Sequence, residues 1–354
     1  MKRLDAYILQ EVATPTIFAL VFVSCVVLMT KMLSLVGLVA SGGMFWGTLL
    51  VVSALTAMLN VTLPASFLIG CASAFNRLSS DAEVVAMRSL GISVRRMVSP
   101  ALVMGGVLSI FLIFNNLFLS PWAYRSTKAI ALHILLNRKN YGVVPGTFTE
   151  VSKGLTIYVK RIDGRWMRGV VIFDMRERDK TRVVEAKRGM LKKTPFGGLV
   201  MVLKNGKILT FSGDRVEKVS FEKLSQELLG GKGGLSKRPP KRELPLGELL
   251  RRMEWEKRNR PKDYRETLVH LHKRFSMALA PLVFCLVAVP LSISFHRKER
   301  WGALAVSLGV FFLYFSILSI SQNLVHRGLS PFLAAWAPDL TLGALGTWLL
   351  LQKD

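Results

Sequence analysis

Two blocks of long apolar runs, residues 1–124 and 273–354, bracket a charged stretch of about 150 residues. Runs of roughly 20 apolar residues are what a helix needs to cross about 30 Å of hydrocarbon. The charge is the complement of that pattern. Residues 125–272 hold 34 of the 48 Lys and Arg and 16 of the 23 Asp and Glu, so +18 of the net +25 lies between the blocks. The chain therefore reads as a membrane α-helical protein split by one soluble insertion, with units at 1–124, 125–272 and 273–354.

The spans follow from the runs and the flanking charges. Lys2 and Arg3 precede an apolar run over 12–40, longer than a signal-peptide core and followed at once by a second span, so it reads as a retained helix with a cytoplasmic N-terminus. A short turn is expected at 41–43, then a second span over 46–75 that Pro64 should kink. Arg77, Arg88, Arg95 and Arg96 mark the next connection as cytoplasmic. A third span over 97–119 leads out to Ser120-Pro121-Trp122. Beyond the insertion, spans are expected at 275–294, 303–324 and 332–351, with a basic cytoplasmic loop carrying His296, Arg297, Lys298 and Arg300. The expected count is six transmembrane helices, three on each side, with both termini in the cytoplasm.

The connection between spans two and three, RLSSDAEVVAMRSLG at 77–91, reads as a short helix over 79–90. Ser80 and Glu83 have capping-box spacing, Asp81 and Glu83 fall in the first turn, and Gly91 suits a left-handed C-cap. Glu83, Ala86, Met87 and Leu90 form one stripe, with Arg88 beside it. Local sequence leaves two readings: docking in a groove of another protein, or lying on lipid headgroups.

Two charges interrupt the spans. Lys31 falls in the outer half of the first, and Asp339 about 10 Å into the sixth at ~1.5 Å per residue. They either pair with each other, lowering both burial costs, or line a water-accessible cavity where Lys31 meets an anionic substrate.

The insertion changes period. Segments 155–161, 169–174, 182–187, 199–204, 207–211 and 216–221 read as short strands, with Asn205-Gly206 as a type I′ hairpin turn and Asp163-Gly164 as a weaker one. A sandwich, jelly roll or open barrel fits this pattern. Residues 230–240 read as a flexible linker. Its GGKGG lacks the spacing and the strand–helix context of a P-loop. Charged helices follow at 246–258 and from 263. Cys25, Cys71 and Cys285 all lie in apolar runs, so no disulfide framework supports the insertion, and His270 and His272 lack the partners of a metal site. The high pI does not point to nucleic acid, because the basic residues lie mostly outside the cytoplasm.

Three stretches carry a family resemblance: LPASFLIGCASAFNRLSSDAEVVAMRSLGIS at 63–93, LHKRFSMALAPLVFCLVAVPLS at 271–292 and GLSPFLAAWAPDL at 328–340. With the three-plus-three spans around a β insertion, the chain resembles the LptF/LptG (YjgP/YjgQ) family, its LptF branch more than its LptG branch. The resemblance implies a permease subunit of an ABC-type lipopolysaccharide exporter in the Gram-negative inner membrane, not an enzyme. It binds no cofactor itself, since ATP is bound by a partner. The implied partners are an LptB-type ATPase dimer, an LptG-type paralogue, LptC and periplasmic LptA. It further implies that 79–90 is the coupling helix, with Glu83 meeting the ATPase. By the same resemblance Lys31 is expected to contact lipid A phosphates, and the insertion to be a periplasmic β-jellyroll-like domain whose groove holds acyl chains. Asp339 stands where an uncharged polar residue is expected, which sets it apart from the family's cavity pattern.

Two other function classes stand against this one. A membrane enzyme needs a nucleophile with its base, a metal cluster or paired carboxylates, and no such spacing occurs. A non-transporting scaffold driven by an ATPase is compatible with the same topology and differs in lacking a polar lateral cavity.

Overall fold

The computed structural model describes residues 2–137, 145–152, 154–164, 166–177, 180–193, 199–212, 215–229, 240–294 and 302–353. The expected linker at 230–239 and the basic loop at 295–301 lie outside the described residues. The chain forms two compact units, one of residues 1–37, 47–128 and 240–354, the other of residues 38–46 and 129–239.

The first unit is helical. Helix α1 runs over Lys2–Ser80, passing through Pro15 and Pro64 without a break. As a straight rod its 79 residues would reach about 120 Å at ~1.5 Å each. Its contacts exclude a rod. Arg77 pairs with Glu11 at 2.6 Å, and a Cβ on Gly70 would sit 1.9 Å from Thr16 Oγ1. Tyr7 also reaches Glu83, just beyond the helix end. These pairs require the chain to double back between residues 16 and 70. The spans are Arg3–Thr30 and Met44–Ser80.

After α2 (Glu83–Ser89), α3 (Val94–Phe114) passes through a π-helical turn, Asn115–Leu119, into α4 (Ser120–Asn137). The sequence leads one to expect a stop at Ser120-Pro121. Instead the ladder widens just before the proline, which cannot donate, and the helix continues. The apolar segment is Val94–Thr127. Helices α5 (Leu246–Asn259), α6 (Pro261–Ser294), α7 (Gly302–Leu324) and α8 (Pro331–Lys353) complete the unit.

Among the described residues five helices are long and apolar enough to span a membrane. The expected sixth is α8, whose 23 residues suffice in length. Pro338, Asp339 and two threonines dilute its apolar character.

Helix α6 is the bundle's centre, packed on α3, α5, α7 and α8. Phe67, Cys71, Phe75, Met97, Phe284 and Tyr314 lie fully buried in the core. Gly346 of α8 lets the α6 backbone approach, since a Cβ there would stand 2.7 Å from the Leu286 carbonyl carbon. Phe18, Phe22, Ile110, Phe111, Phe312 and Trp348 point outward, as lipid-facing side chains do. Helix α5 belongs to this unit. Its fully buried Glu256 takes Arg252 Nε at 2.7 Å and the Thr267 hydroxyl of α6 at 2.5 Å. Arg125 of α4 pairs with Glu248 at 2.5 Å.

The second unit holds six antiparallel strands: β1 (Phe148–Ser152), β2 (Leu155–Asp163), β3 (Trp166–Glu177), β4 (Lys180–Lys193), β5 (Leu199–Ser212) and β6 (Arg215–Leu229). Each pairs with its sequence neighbours, giving a meander. The inserted β domain stands, with up-and-down connectivity. One face carries Ile157, Val159, Val170, Ile172, Met201 and Leu203, all fully buried. A single sheet can bury one face on itself only by curling, and β1 and β6 do come within 8 Å of each other.

Asp163-Gly164 makes a hairpin, with Asp163 opposite Trp166. Asn205-Gly206 does not. Both residues lie inside β5, which pairs with β4 and β6 on either side of them. Asn205 has φ 52°, and a Cβ on Gly206 would lie 2.2 Å from the Glu185 carbonyl and 2.5 Å from the Phe221 ring. Pairing on both edges overrides the local turn preference, and the dipeptide bends the strand instead.

Candidate functional site

The segment joining α1 to α3 differs from its expected form. Ser80 is the last residue of α1, and no capping box forms. Asp81 and Ala82 make a turn, Ala82 taking φ 60° as N-cap, and helix α2 covers only seven residues. The cause lies in α1. Arg77 holds both Glu11 and, at 3.6 Å, Asp81, so α1 keeps its helical ladder until Ala82 breaks it. The C-terminus is as expected: Gly91 has φ 80°, its N–H reaches Arg88 O at 2.9 Å, and the Ile92 N–H reaches Met87 O at 3.1 Å. That is a Schellman cap. The Ser93 hydroxyl then accepts from the Arg96 N–H and starts α3.

This geometry sorts the expected docking residues. Met87 turns inward with Val84 and joins the bundle core. Glu83 is half-buried and accepts a hydrogen bond from the Tyr7 hydroxyl at 2.8 Å; Arg77 donates to the same hydroxyl at 3.1 Å. Ser80, Asp81, Ala86, Arg88 and Leu90 are exposed. The outward apolar groups are Leu90, 80% exposed, and Val85, 61% exposed; the stripe of the sequence reading did not include Val85. Arg96 pairs with Asp5 at 2.7 Å and fixes the start of α3 to that of α1. A seven-residue helix is not stable alone, and these anchors hold it as a rigid knob.

Lys31 lies within α1, and its side chain is outside the described residues. Asp339 is 8% exposed and accepts hydrogen bonds from Ser276 of α6 and, at 3.2 Å, from Tyr314 of α7. Among the described residues its partners are two hydroxyls, and it knits α6, α7 and α8 into one core. Ser276 also reaches the Ala335 carbonyl at 2.8 Å. Among the described residues no three His, Cys, Asp or Glu side chains gather as metal ligands.

A polar layer went unnoticed in the sequence. Asn115 Nδ2 donates to Asn60 Oδ1 at 2.7 Å, Asn60 Nδ2 to Ser120 Oγ at 3.3 Å, and Asn116 Nδ2 to the Arg274 carbonyl at 3.0 Å. Single amides scattered over apolar runs give no periodic signal. Asn115-Asn116 inside a span was the available one.

Comparison with known proteins agrees over nearly the whole chain. A family model described as "Lipopolysaccharide export system permease LptF/LptG" matches residues 6–352. The lipopolysaccharide export system permease protein LptF of Escherichia coli (strain K12) is 22% identical over 295 residues, covering 81% of this chain and 77% of that protein. The LptF of Shigella flexneri gives the same figures. The uncharacterized protein RP871 of Rickettsia prowazekii (strain Madrid E) is 22% identical over 332 residues, 86% of each chain.

Proposed function

The chain belongs to the LptF/LptG family of lipopolysaccharide export permeases, and from that membership we propose that it works as one permease subunit of an ATP-driven exporter. In this reading an LptB-type ATPase dimer docks on α2 and an LptG-type paralogue completes the membrane cavity. Lipopolysaccharide leaves the outer leaflet of the inner membrane through that cavity. It passes by the β domain, on the periplasmic side, to LptC and LptA. Lys31 contacts lipid A phosphates at the cavity; a lysine suits this as a mobile point charge. The β domain receives acyl chains on its apolar inner face. That face is filled by its own side chains, so entry requires β1 and β6 to part.

The observation that carries the reading is the anchored knob. Tyr7, Glu11, Arg77 and Glu83 tie α2 to both arms of α1, while Val85 and Leu90 stay bare. A rigid helix end with exposed apolar groups and an acid at its start can transmit a push from a partner into the spans.

The test is co-expression with the paralogue and the ATPase, followed by measurement of complex formation, ATP hydrolysis and bound lipopolysaccharide. Val85 and Leu90 are mostly exposed, so Leu90→Asp and Val85→Asp should abolish ATPase capture while the protein still inserts. Glu83→Lys should do the same, with added loss of the Tyr7 contact. Normal capture and export in all three variants would overturn the docking role. Capture of the ATPase without any bound glycolipid would instead support the mechanical scaffold.

A further inference from the structure

From β2 to β6 the strands alternate inward and outward residues, and in each the alternation slips by one at the same level. In β2 Ile157 and Val159 are buried, Lys160 and Arg161 are both exposed, and Ile162 packs inward again. In β4 Ala186 is buried, Lys187 and Arg188 are exposed, and Leu191 is buried. In β5 Leu203 is buried, Lys204 and Asn205 are exposed, and Ile208 packs inward. The slips line up: Arg161, Arg168, Arg188, Lys204 and Lys223 stand opposite one another across the five strands. Gly169 and Asn205, next to this row, have φ of 63° and 52°.

On a flat sheet a slip of one residue turns the following side chains to the other face. Here they stay inside, so the sheet folds along the row, with left-handed residues making the bend as they do in bulges. The cations lie on the outside of this crease.

A polar contact closes the fold away from the crease. Asp174 of β3 is 8% exposed and accepts a hydrogen bond from Gln226 Nε2 of β6 at 3.4 Å. The ladder alone would keep them apart. Asp174 stands opposite Arg182, Arg182 opposite Thr210, and Thr210 opposite Glu217. Gln226 lies further along β6 than Glu217 by about 30 Å, at ~3.3 Å per residue. Three strand spacings of ~4.8 Å add about 14 Å sideways. Flat, the pair would be roughly 33 Å apart; the folded sheet brings them into contact.

The surroundings of the pair are apolar. Gln226 stands opposite Met201, and Asp174 follows Ile172 on the same face, both fully buried. A bond of this length is a weak one, and both groups recover hydrogen bonds when water reaches them. Arg182, opposite Asp174 on β4, stays with the carboxylate when Gln226 leaves. The crease, by contrast, is crossed by continuous strand pairing from β2 to β6. The folded sheet therefore yields more readily at this pair than at the bend.

We propose that Asp174 and Gln226 form a clasp that controls entry to the apolar interior of the β domain. When the clasp parts, the two halves of the sheet swing about the row through Arg188, and an alkyl chain enters between them. The two are positioning residues, and they gate the chain without binding it. This inference rests on the reading that the β domain receives acyl chains, and it names the contact that admits them.

The test uses the full-length chain in phospholipid nanodiscs with palmitic acid carrying a diazirine, which is activated by light and mapped by peptide mass spectrometry. Labelling of peptides containing Ile157, Ile172 and Met201, relative to labelling of the helical spans, reports entry. Gln226→Leu removes the donor and leaves the carboxylate against apolar groups, so labelling should rise about fivefold. Asp174→Leu combined with Gln226→Leu replaces both partners by apolar groups, which can hold as well as the original bond. Its labelling should fall back to the parent level or below. Amide exchange in Gln226→Leu should quicken in β1 and over residues 224–229, and stay as in the parent along the crease. Equal labelling in all three chains, no labelled inner-face peptide in any of them, or exchange quickened evenly over all six strands overturns the clasp. A double variant labelled as strongly as Gln226→Leu also overturns it, because lost stability would then explain the entry. The fatty acid needs no ATPase, paralogue or glycolipid. A complex without bound lipopolysaccharide therefore counts against export and leaves the clasp standing, whereas a complex that carries it beside unchanged labelling in Gln226→Leu removes the clasp alone.

Discussion

Asp339 shows how a residue whose depth is legible in the sequence gains partners that only the fold supplies. Sequence placed it about 10 Å into the sixth helix, and pairing with Lys31, one of two readings, followed only from comparable depth. Among the described residues the structure gives it Ser276 and Tyr314, partners that lie 63 and 25 residues away and carry no charge to flag them. The two accounts differ in what Asp339→Asn does. If hydroxyl contacts dominate, the amide oxygen still accepts from Tyr314 and the melting temperature in detergent should change little. Asp339→Leu leaves two buried hydroxyls without their acceptor, each costing about 1–3 kcal/mol, and should lower the melting temperature by several degrees. An Asn variant as damaged as the Leu variant would mean the negative charge is needed, as breaking a buried ion pair costs ~3–5 kcal/mol, and would favour Lys31 as its partner.

At the scale of elements, the helices were legible because each carries its own signal: a long apolar run, proline-tolerant, flanked by charge. The strands were legible as segments and less so in their joins. The sequence reading split β5 at Asn205-Gly206 because that dipeptide is a strong local turn signal, whereas the structure pairs it on both edges. It also missed β1, whose five residues sit at the sheet's margin. Helix α2 was found, but with its stripe rotated. Met87 looked like a docking residue, since no local rule says that Val84 and Met87 would find the bundle core. Gly206 tests the sheet directly. Gly206→Ala puts a Cβ 2.2 Å from a backbone carbonyl, a clash that backbone cannot relieve cheaply. It should destabilise the β domain by about 1–3 kcal/mol, seen as faster amide exchange in β4–β6 while the helical unit keeps its protection. Asn205→Ala, which disturbs φ alone, should cost roughly 1 kcal/mol. Equal exchange in Gly206→Ala and the parent would mean that the bend is not fixed by close approach.

For the whole molecule, the count of spans decides which side each terminus occupies, and α8 decides the count. Five helices meet the criteria of length and apolarity among the described residues. The sixth pays for Pro338 and Asp339 by burying both against α6 and α7. Packing of this kind lets a helix of modest hydropathy span, because its polar atoms face protein and not lipid. Cysteine labelling settles the arithmetic. Cys71 and Cys285 are buried, and Cys25 is exposed on an apolar span, where a charged maleimide does not reach, so the background is low. Leu90→Cys should label only after the inner membrane is opened, and Lys218→Cys, exposed on β6, should label in intact spheroplasts. Those two results place an odd number of crossings between residues 90 and 218, which α3 with α4 supplies. Lys353→Cys then divides the alternatives. Protection in spheroplasts places the C-terminus in the cytoplasm and makes α8 a sixth span. Labelling from outside leaves five, and Asp339 would then serve an interfacial helix packed on α6, its burial owed to protein alone.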